Sequence, residues 1–194
     1  MPAKFVILLC IAYLLGSVSF AVLLSRLGRL PDPRYSGSGN PGASNMLRLG
    51  HRQLALATLV GDWSKGAAAV WIAARVGLSP PQQGWVALAA IIGHILPIFH
   101  QFRGGKGVAT AGGALMLLSW PATLIAAVLW LAVFLIKRIA SLASLAACAG
   151  LLPWFAWRHP QLLLPILLMV SLILLRHRLN IGRLLSGTEN DFRR

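Results

Sequence analysis

The stretch from Ser36 to Asn45 reads Ser-Gly-Ser-Gly-Asn-Pro-Gly-Ala-Ser-Asn, polar and uncharged between long apolar runs. Gly37, Gly39 and Gly42 allow φ > 0, so successive N–H groups can converge on one point, an arrangement suited to a phosphate. Around Ala43, the side chains of Ser38, Asn40, Ser44 and Asn45 add donors without charge, and Arg48 and Arg52 follow within two helical turns if a helix begins near Asn45. A flexible linker is the plain alternative. A second candidate, Phe102-Arg103-Gly104-Gly105-Lys106-Gly107, sets glycines around a lysine at the start of an apolar helix. It is not a Walker A loop, which requires glycine where this chain has His100 and Ser or Thr where it has Gly107. A membrane-surface turn whose lysine meets lipid headgroups would look the same. Ser141 and Ser144 follow Lys137-Arg138, where hydroxyls can cap a helix or meet a ligand oxygen. His177 and Asn180 lie three apart among Arg176, Arg178 and Arg183, which puts them on one helical face.

The elements that must carry these residues are membrane spans. Hydrophobic residues make up 57% of the 194 and charged ones only 11%, less than half the share in soluble domains. The net charge of +14 does not point to nucleic acid, because Lys and Arg stand singly or in pairs between apolar runs. Phe5 to Ser25 is uncharged and long enough for one crossing, read as an uncleaved first span. Leu54 to Ala74 is a second, interrupted by Asp62 and Lys65, which share a helix face as a structural ion pair or a site wall. Pro80-Pro81 closes that helix, and Trp85 to Phe102 forms the third span. Val108 to Ile136, broken at Ser119-Trp120-Pro121, fits two short helices or a re-entrant hairpin. Ser141 to Trp157 and Leu162 to Leu175 bring the count to seven, with a polar tail after them. Cys10 and Cys148 both fall in apolar segments and offer neither a disulfide framework nor a zinc site.

The basic residues set the orientation. Fourteen lie in the 26–53 loop, the 103–106 turn, the 137–138 pair and the tail, against Lys4, Arg75 and Arg158 opposite. The expected fold is therefore an all-α polytopic membrane protein, one domain over residues 1–194, with the N-terminus outside and the C-terminus cytoplasmic. Every chemically interesting segment then faces the cytoplasm. Asp32, Asp62, Glu189 and Asp191 are the only acids, too few and too scattered for a two-metal or magnesium-diphosphate site. No histidine precedes an aspartate by five positions, so the His-Asp dyad of thioester-dependent acyltransferases is absent, and no carboxylate is expected to orient a histidine as base.

Taken in order, Gly37 to Asn45, Gly104 to Thr110 and Arg176 to Asn180 resemble the bacterial acyl-phosphate:glycerol-3-phosphate acyltransferases. The resemblance extends to Gly93-His94 with Pro97, to Lys137-Arg138 with Ser141 and Ser144, and to Arg183 through Glu189. It implies a seven-span, metal-free and cofactor-free enzyme of the bacterial cytoplasmic (inner) membrane, active on the cytoplasmic side. Such an enzyme moves an acyl group from acyl phosphate to the sn-1 hydroxyl of glycerol 3-phosphate, giving lysophosphatidic acid. By similarity, Gly37, Ser38, Gly39, Asn40, Gly42, Ala43, Ser44 and Asn45 hold the acyl phosphate, while Arg48, Gly104, Gly105, Lys106, Ser144, His177 and Asn180 hold glycerol 3-phosphate. Lys106, Asn180, Ser38 and His177 are the catalytic candidates. The implied protein functions as a monomer in the lipid bilayer, linked functionally to the enzyme that makes acyl phosphate. Ser44 for Thr and Arg103 for Lys are departures that keep the hydroxyl and the charge. A transporter for an organophosphate is the competing expectation; it needs polar sites on both faces.

Overall fold

The computed structural model describes residues 2–192, and all regular structure among them is helical. The chain divides after Leu118 into two compact units.

The first unit begins with α1 (Pro2–Ser17) and α2 (Phe20–Leu27), where a single helix through Phe5 to Ser25 was expected. The two are bent by 42° at Val18-Ser19. A broken helix inside a membrane is tolerated where protein satisfies the freed backbone groups. Here the Val18 carbonyl accepts a 2.7 Å hydrogen bond from Lys65 Nζ. After the polar loop come α3 (Ala43–Arg48), starting two residues earlier than expected, and α4 (Arg52–Arg75). Pro80-Pro81 does not close α4. That helix stops at Arg75 ahead of Gly77, whose φ of +79° suits glycine, and the two prolines open α5 (Pro80–Ile95), where their missing N–H groups cost nothing. Gln82 Oε1 accepts the Ser79 N–H at 3.0 Å and fixes that start. The third apolar run accordingly ends as a helix at Ile95, and a 3-10 turn over Ile98–His100 leads to the lysine loop and α6 (Val108–Leu118).

Close backbone approach holds this unit together. A Cβ on Gly66 of α4 would lie 2.0 Å from the Thr110 carbonyl oxygen of α6, and one on Gly16 of α1 would lie 2.0 Å from that of Ala90 on α5. Without a strong hydrophobic force between helices in lipid, such small-residue interfaces supply association through backbone packing.

The second unit contains α7 (Trp120–Lys137), α8 (Ala140–Arg158), a 3-10 turn over Pro160–Leu162, α9 (Leu163–Arg176) and α10 (Arg178–Leu185). The break at Ser119-Trp120-Pro121 thus separates two helices, with Pro121 in the first turn of α7. Arg138, at φ +58°, turns the chain from α7 into α8. Helices α9 and α10 meet at His177 with a 58° bend, so what reads as a polar tail carries a further helix. Among the described residues, three segments, Pro80–His100, α7 and α8, are long and apolar enough to cross a membrane, and five if each bent pair counts as one span. Helix α4 has the length, at 24 residues, but carries Asp62 and Lys65.

Candidate functional site

In the first unit, Asn45 organises the glycine-rich loop from its centre. Its side chain is 1% exposed and is used on both sides: Nδ2 donates to the carbonyls of Pro33 and Ser36, each at 3.0 Å, and Oδ1 accepts the Ser38 N–H at 2.8 Å. Gly37 (φ +61°) and Gly39 (φ +69°) make the turns, and a Cβ on Gly37 would collide with Asn45 Oδ1 at 2.4 Å. Asn45 therefore builds the cradle, while Ser38 lies exposed and Asn40 and Ser44 half-buried along its rim. Asp32 and Arg34 brace the approach to the loop, Arg34 Nη2 lying 2.6 Å from Asp32 Oδ2. Hydrogen bonds from Arg34 hold the Asp32 carboxyl below its ordinary range.

The lysine loop lies beside this cradle, about 60 residues later in sequence. Arg34 Nη1 donates to the His100 carbonyl at 3.1 Å, and Arg103 Nη1 donates to the Tyr35 hydroxyl at 3.1 Å. The Arg34 and Arg103 guanidinium groups both approach the Tyr35 ring, at 5.6 and 5.7 Å from its centre. Gly104 and Gly105 are buried, and a Cβ on Gly105 would stand 3.1 Å from the Pro41 carbonyl oxygen. The two glycine segments singled out from sequence are thus neighbours, with Lys106 half-buried on one and Arg48 half-buried on α3 behind the other. An ammonium and a guanidinium are groups that suit a phosphorylated ligand.

Sequence reasoning missed the floor beneath the lysine loop. Asp62 pairs with Lys65 at 2.9 Å, as the shared helix face foretold, but His94 Nδ1 also lies 3.6 Å from Asp62 Oδ1. A carboxylate does therefore stand beside a histidine, contrary to expectation. The three residues are 2%, 5% and 6% exposed. The charges inside an apolar run were the available signal; their histidine partner came from another helix.

In the second unit, Ser141, Asn180 and Arg183 converge on one carboxylate that the sequence did not single out. Glu189 Oε1 accepts from Asn180 Nδ2 at 2.6 Å and from Ser141 Oγ at 2.9 Å, while Oε2 accepts from Arg183 Nε at 2.8 Å. Burial pushes the Glu189 carboxyl up, but the hydrogen bonds from Arg183, Asn180 and Ser141 outweigh it and hold it below the ordinary glutamate range. A lowered value means that this clasp is whole at neutral pH and loosens only as acid protonates Glu189. The carboxylate fixes Asn180 by its amide nitrogen. His177, 2% exposed at the bend between α9 and α10, donates Nδ1–H to the Ile173 carbonyl at 2.8 Å. That bond fixes the ring's tautomer, since a carbonyl only accepts. Ser144 is held differently: its Oγ donates to the Ala140 carbonyl at 2.9 Å and receives the Trp130 indole N–H at 3.1 Å. One hydroxyl has one proton and two lone pairs, so in this arrangement Ser144 has an acceptor position left. Phe134 stacks on Trp130 at 4.8 Å and meets Phe192 at 5.7 Å, so the tail that brings Glu189 also packs on the ring that backs Trp130.

The family model for glycerol-3-phosphate acyltransferase matches residues 6–187. Curated relatives of that description include one from Pseudomonas entomophila, 52% identical over 182 residues (94% of this chain, 96% of the relative). Another, from Azotobacter vinelandii, is 53% identical over 186 residues (96% of this chain, 98% of the relative). Among solved structures the chain is similar to the crystal structure of PlsY, an integral membrane glycerol 3-phosphate acyltransferase, in its glycerol 3-phosphate form. The TM-score is 0.92 at 36% identity, covering 97% of this chain and 96% of that one. The lysophosphatidic acid form of PlsY gives 0.90 at 35% identity, covering 97% and 95%.

Proposed function

The chain belongs to the glycerol-3-phosphate acyltransferase family, an integral membrane family, and we propose that it transfers an acyl group from acyl phosphate to the sn-1 hydroxyl of glycerol 3-phosphate. The observation that carries this reading is the docking of the Gly37–Asn45 cradle against the Gly104-Gly105-Lys106 loop, two phosphate-suited segments side by side. The cradle takes the acyl phosphate, with Ser38 at its rim. Arg48, Lys106, Ser144, His177 and Asn180 bind glycerol 3-phosphate, with Asn180 serving its reacting hydroxyl. That oxygen attacks the acyl carbon, the acyl C–O bond to phosphate breaks, and the departing phosphate takes the hydroxyl proton. Lysophosphatidic acid and inorganic phosphate result. The donor is already an activated anhydride, so positioning and electrostatic stabilisation carry the rate; positioning alone can supply about 7–11 kcal/mol.

Metal plays no part in the proposed scheme. Detergent-purified protein given palmitoyl phosphate and glycerol 3-phosphate, with no added metal, is expected to make lysophosphatidic acid at a rate that EDTA leaves unchanged. Abolition by chelator overturns the metal-free scheme, and absence of product overturns the activity.

The same reading makes the protein a monomeric, seven-span enzyme of the bacterial inner membrane that draws its donor from the enzyme making acyl phosphate. The α1–α2 and α9–α10 pairs count as single crossings and α6 as a short one. The basic asymmetry puts the cradle and the tail in the cytoplasm. In a Cys10→Ala/Cys148→Ala background, Ser38→Cys and Ser186→Cys are expected to resist an impermeant thiol reagent on intact cells, and Gln82→Cys to react. Labelling in the reverse sense refutes the orientation.

A further inference from the structure

A buried ion pair on a membrane helix is costly, and apolar residues of similar size often replace such a pair with no loss of stability. Asp62 and Lys65 therefore call for an explanation beyond holding α4 in place. Each reaches a different element. Lys65 Nζ donates to Val18 at the break between α1 and α2. Asp62 faces His94 in the last turn of α5 at 3.6 Å, an electrostatic approach longer than a hydrogen bond. His94 in turn supports the lysine loop through both its backbone and its ring. Its carbonyl accepts the Gly105 N–H at 3.1 Å. A Cβ on Gly104 would lie 2.0 Å from that carbonyl oxygen, and one on Gly105 would lie 2.2 Å from His94 Nε2. The Nε2 end of the imidazole thus forms the surface against which the residue before Lys106 is pressed. The helix break completes the support: Ile98 N–H reaches Ser17 Oγ and Ser19 N–H reaches His100 Nε2, both at 3.4 Å.

We propose that Asp62, Lys65 and His94 form a buried relay that locks the Gly104-Gly105-Lys106 loop to the break in the first span, making Asp62 and His94 positioning residues for phosphate binding at Lys106. The relay deepens the acyl-transfer reading and rests on it. Asp62 holds the imidazole; the imidazole sets Gly105; Gly105 sets the lysine. A displacement of about 1 Å at a binding group is enough to cost up to about 10²-fold in rate.

The test separates stability from positioning by removing both charges together. Asp62→Asn alone leaves Lys65 charged and buried, so both the melting temperature in detergent and kcat/KM are expected to fall. Asp62→Asn/Lys65→Met leaves no unpaired charge and is expected to regain most of the melting temperature lost in Asp62→Asn, short of wild type because the Val18 carbonyl loses its Lys65 donor. Its kcat/KM for glycerol 3-phosphate stays down by about tenfold, mostly in KM, because His94 still lacks its carboxylate. His94→Gln keeps the Asp62–Lys65 pair and is expected to show the same KM effect at an unchanged melting temperature, which covers the case in which the double variant does not fold. Wild-type KM in either variant, once folded, overturns the relay. If the wild-type protein itself makes no lysophosphatidic acid, the acyl-transfer reading falls and the relay's role with it; an active wild type beside an equally active double variant overturns the relay alone.

Discussion

Lys106→Ala is expected to lower kcat/KM for glycerol 3-phosphate by about 10³-fold, with both a raised KM and a lowered kcat. Two phosphate groups have to approach each other for the reaction, and the ammonium is the compact charge that offsets their repulsion. Removing one well-placed donor to a developing oxyanion costs roughly 3–4 kcal/mol, about 10²–10³-fold, and the loss of ground-state binding adds to it. The close contacts of Gly104 and Gly105 with His94 survive the substitution, and melting temperature measured beside the rates separates lost folding from lost chemistry. Lys106→Arg restores only part of the rate, since a guanidinium is broader and planar where the loop is set for a point charge. Steady-state kinetics on purified variants decide the matter: a loss below tenfold for Lys106→Ala removes the lysine from the proposed chemistry.

What the sequence made legible was local. The Asp62–Lys65 pair follows from helical spacing, the α6–α7 break from Ser119-Trp120-Pro121, and a helix after the glycine-rich loop was legible to within two residues, expected near Asn45 and found from Ala43. What it hid was set by tertiary contact or by competition between signals. An uninterrupted apolar run from Phe5 to Ser25 gives no warning of the break at Val18, because the compensating donor, Lys65, lies 47 residues away. Pro80-Pro81 is a helix breaker in the abstract, but the preceding Gly77 had already ended α4, which left the prolines free to start α5. Asp62 and His94 meet only because α4 and α5 are neighbours. Glu189 lies 48 residues from Ser141, in a tail whose polarity reads as solvent exposure, yet its side chain is only 2% exposed. Asn45 was grouped with the ligand-binding residues by its place in a polar loop; the structure gives both ends of its amide to the loop's own backbone. A polar residue in such a cradle can build it or line it, and spacing alone does not distinguish the two.

His177→Gln is expected to raise KM for glycerol 3-phosphate by about 30-fold while kcat stays within about threefold. A hydrogen bond to a charged partner contributes about 1.5–3 kcal/mol, and loss of binding common to ground and transition states appears in KM. A general base has a different signature: its removal would cost about 10²–10⁴-fold in kcat with KM unchanged. That outcome would transfer the hydroxyl proton from the departing phosphate to His177 and overturn the substrate-assisted step.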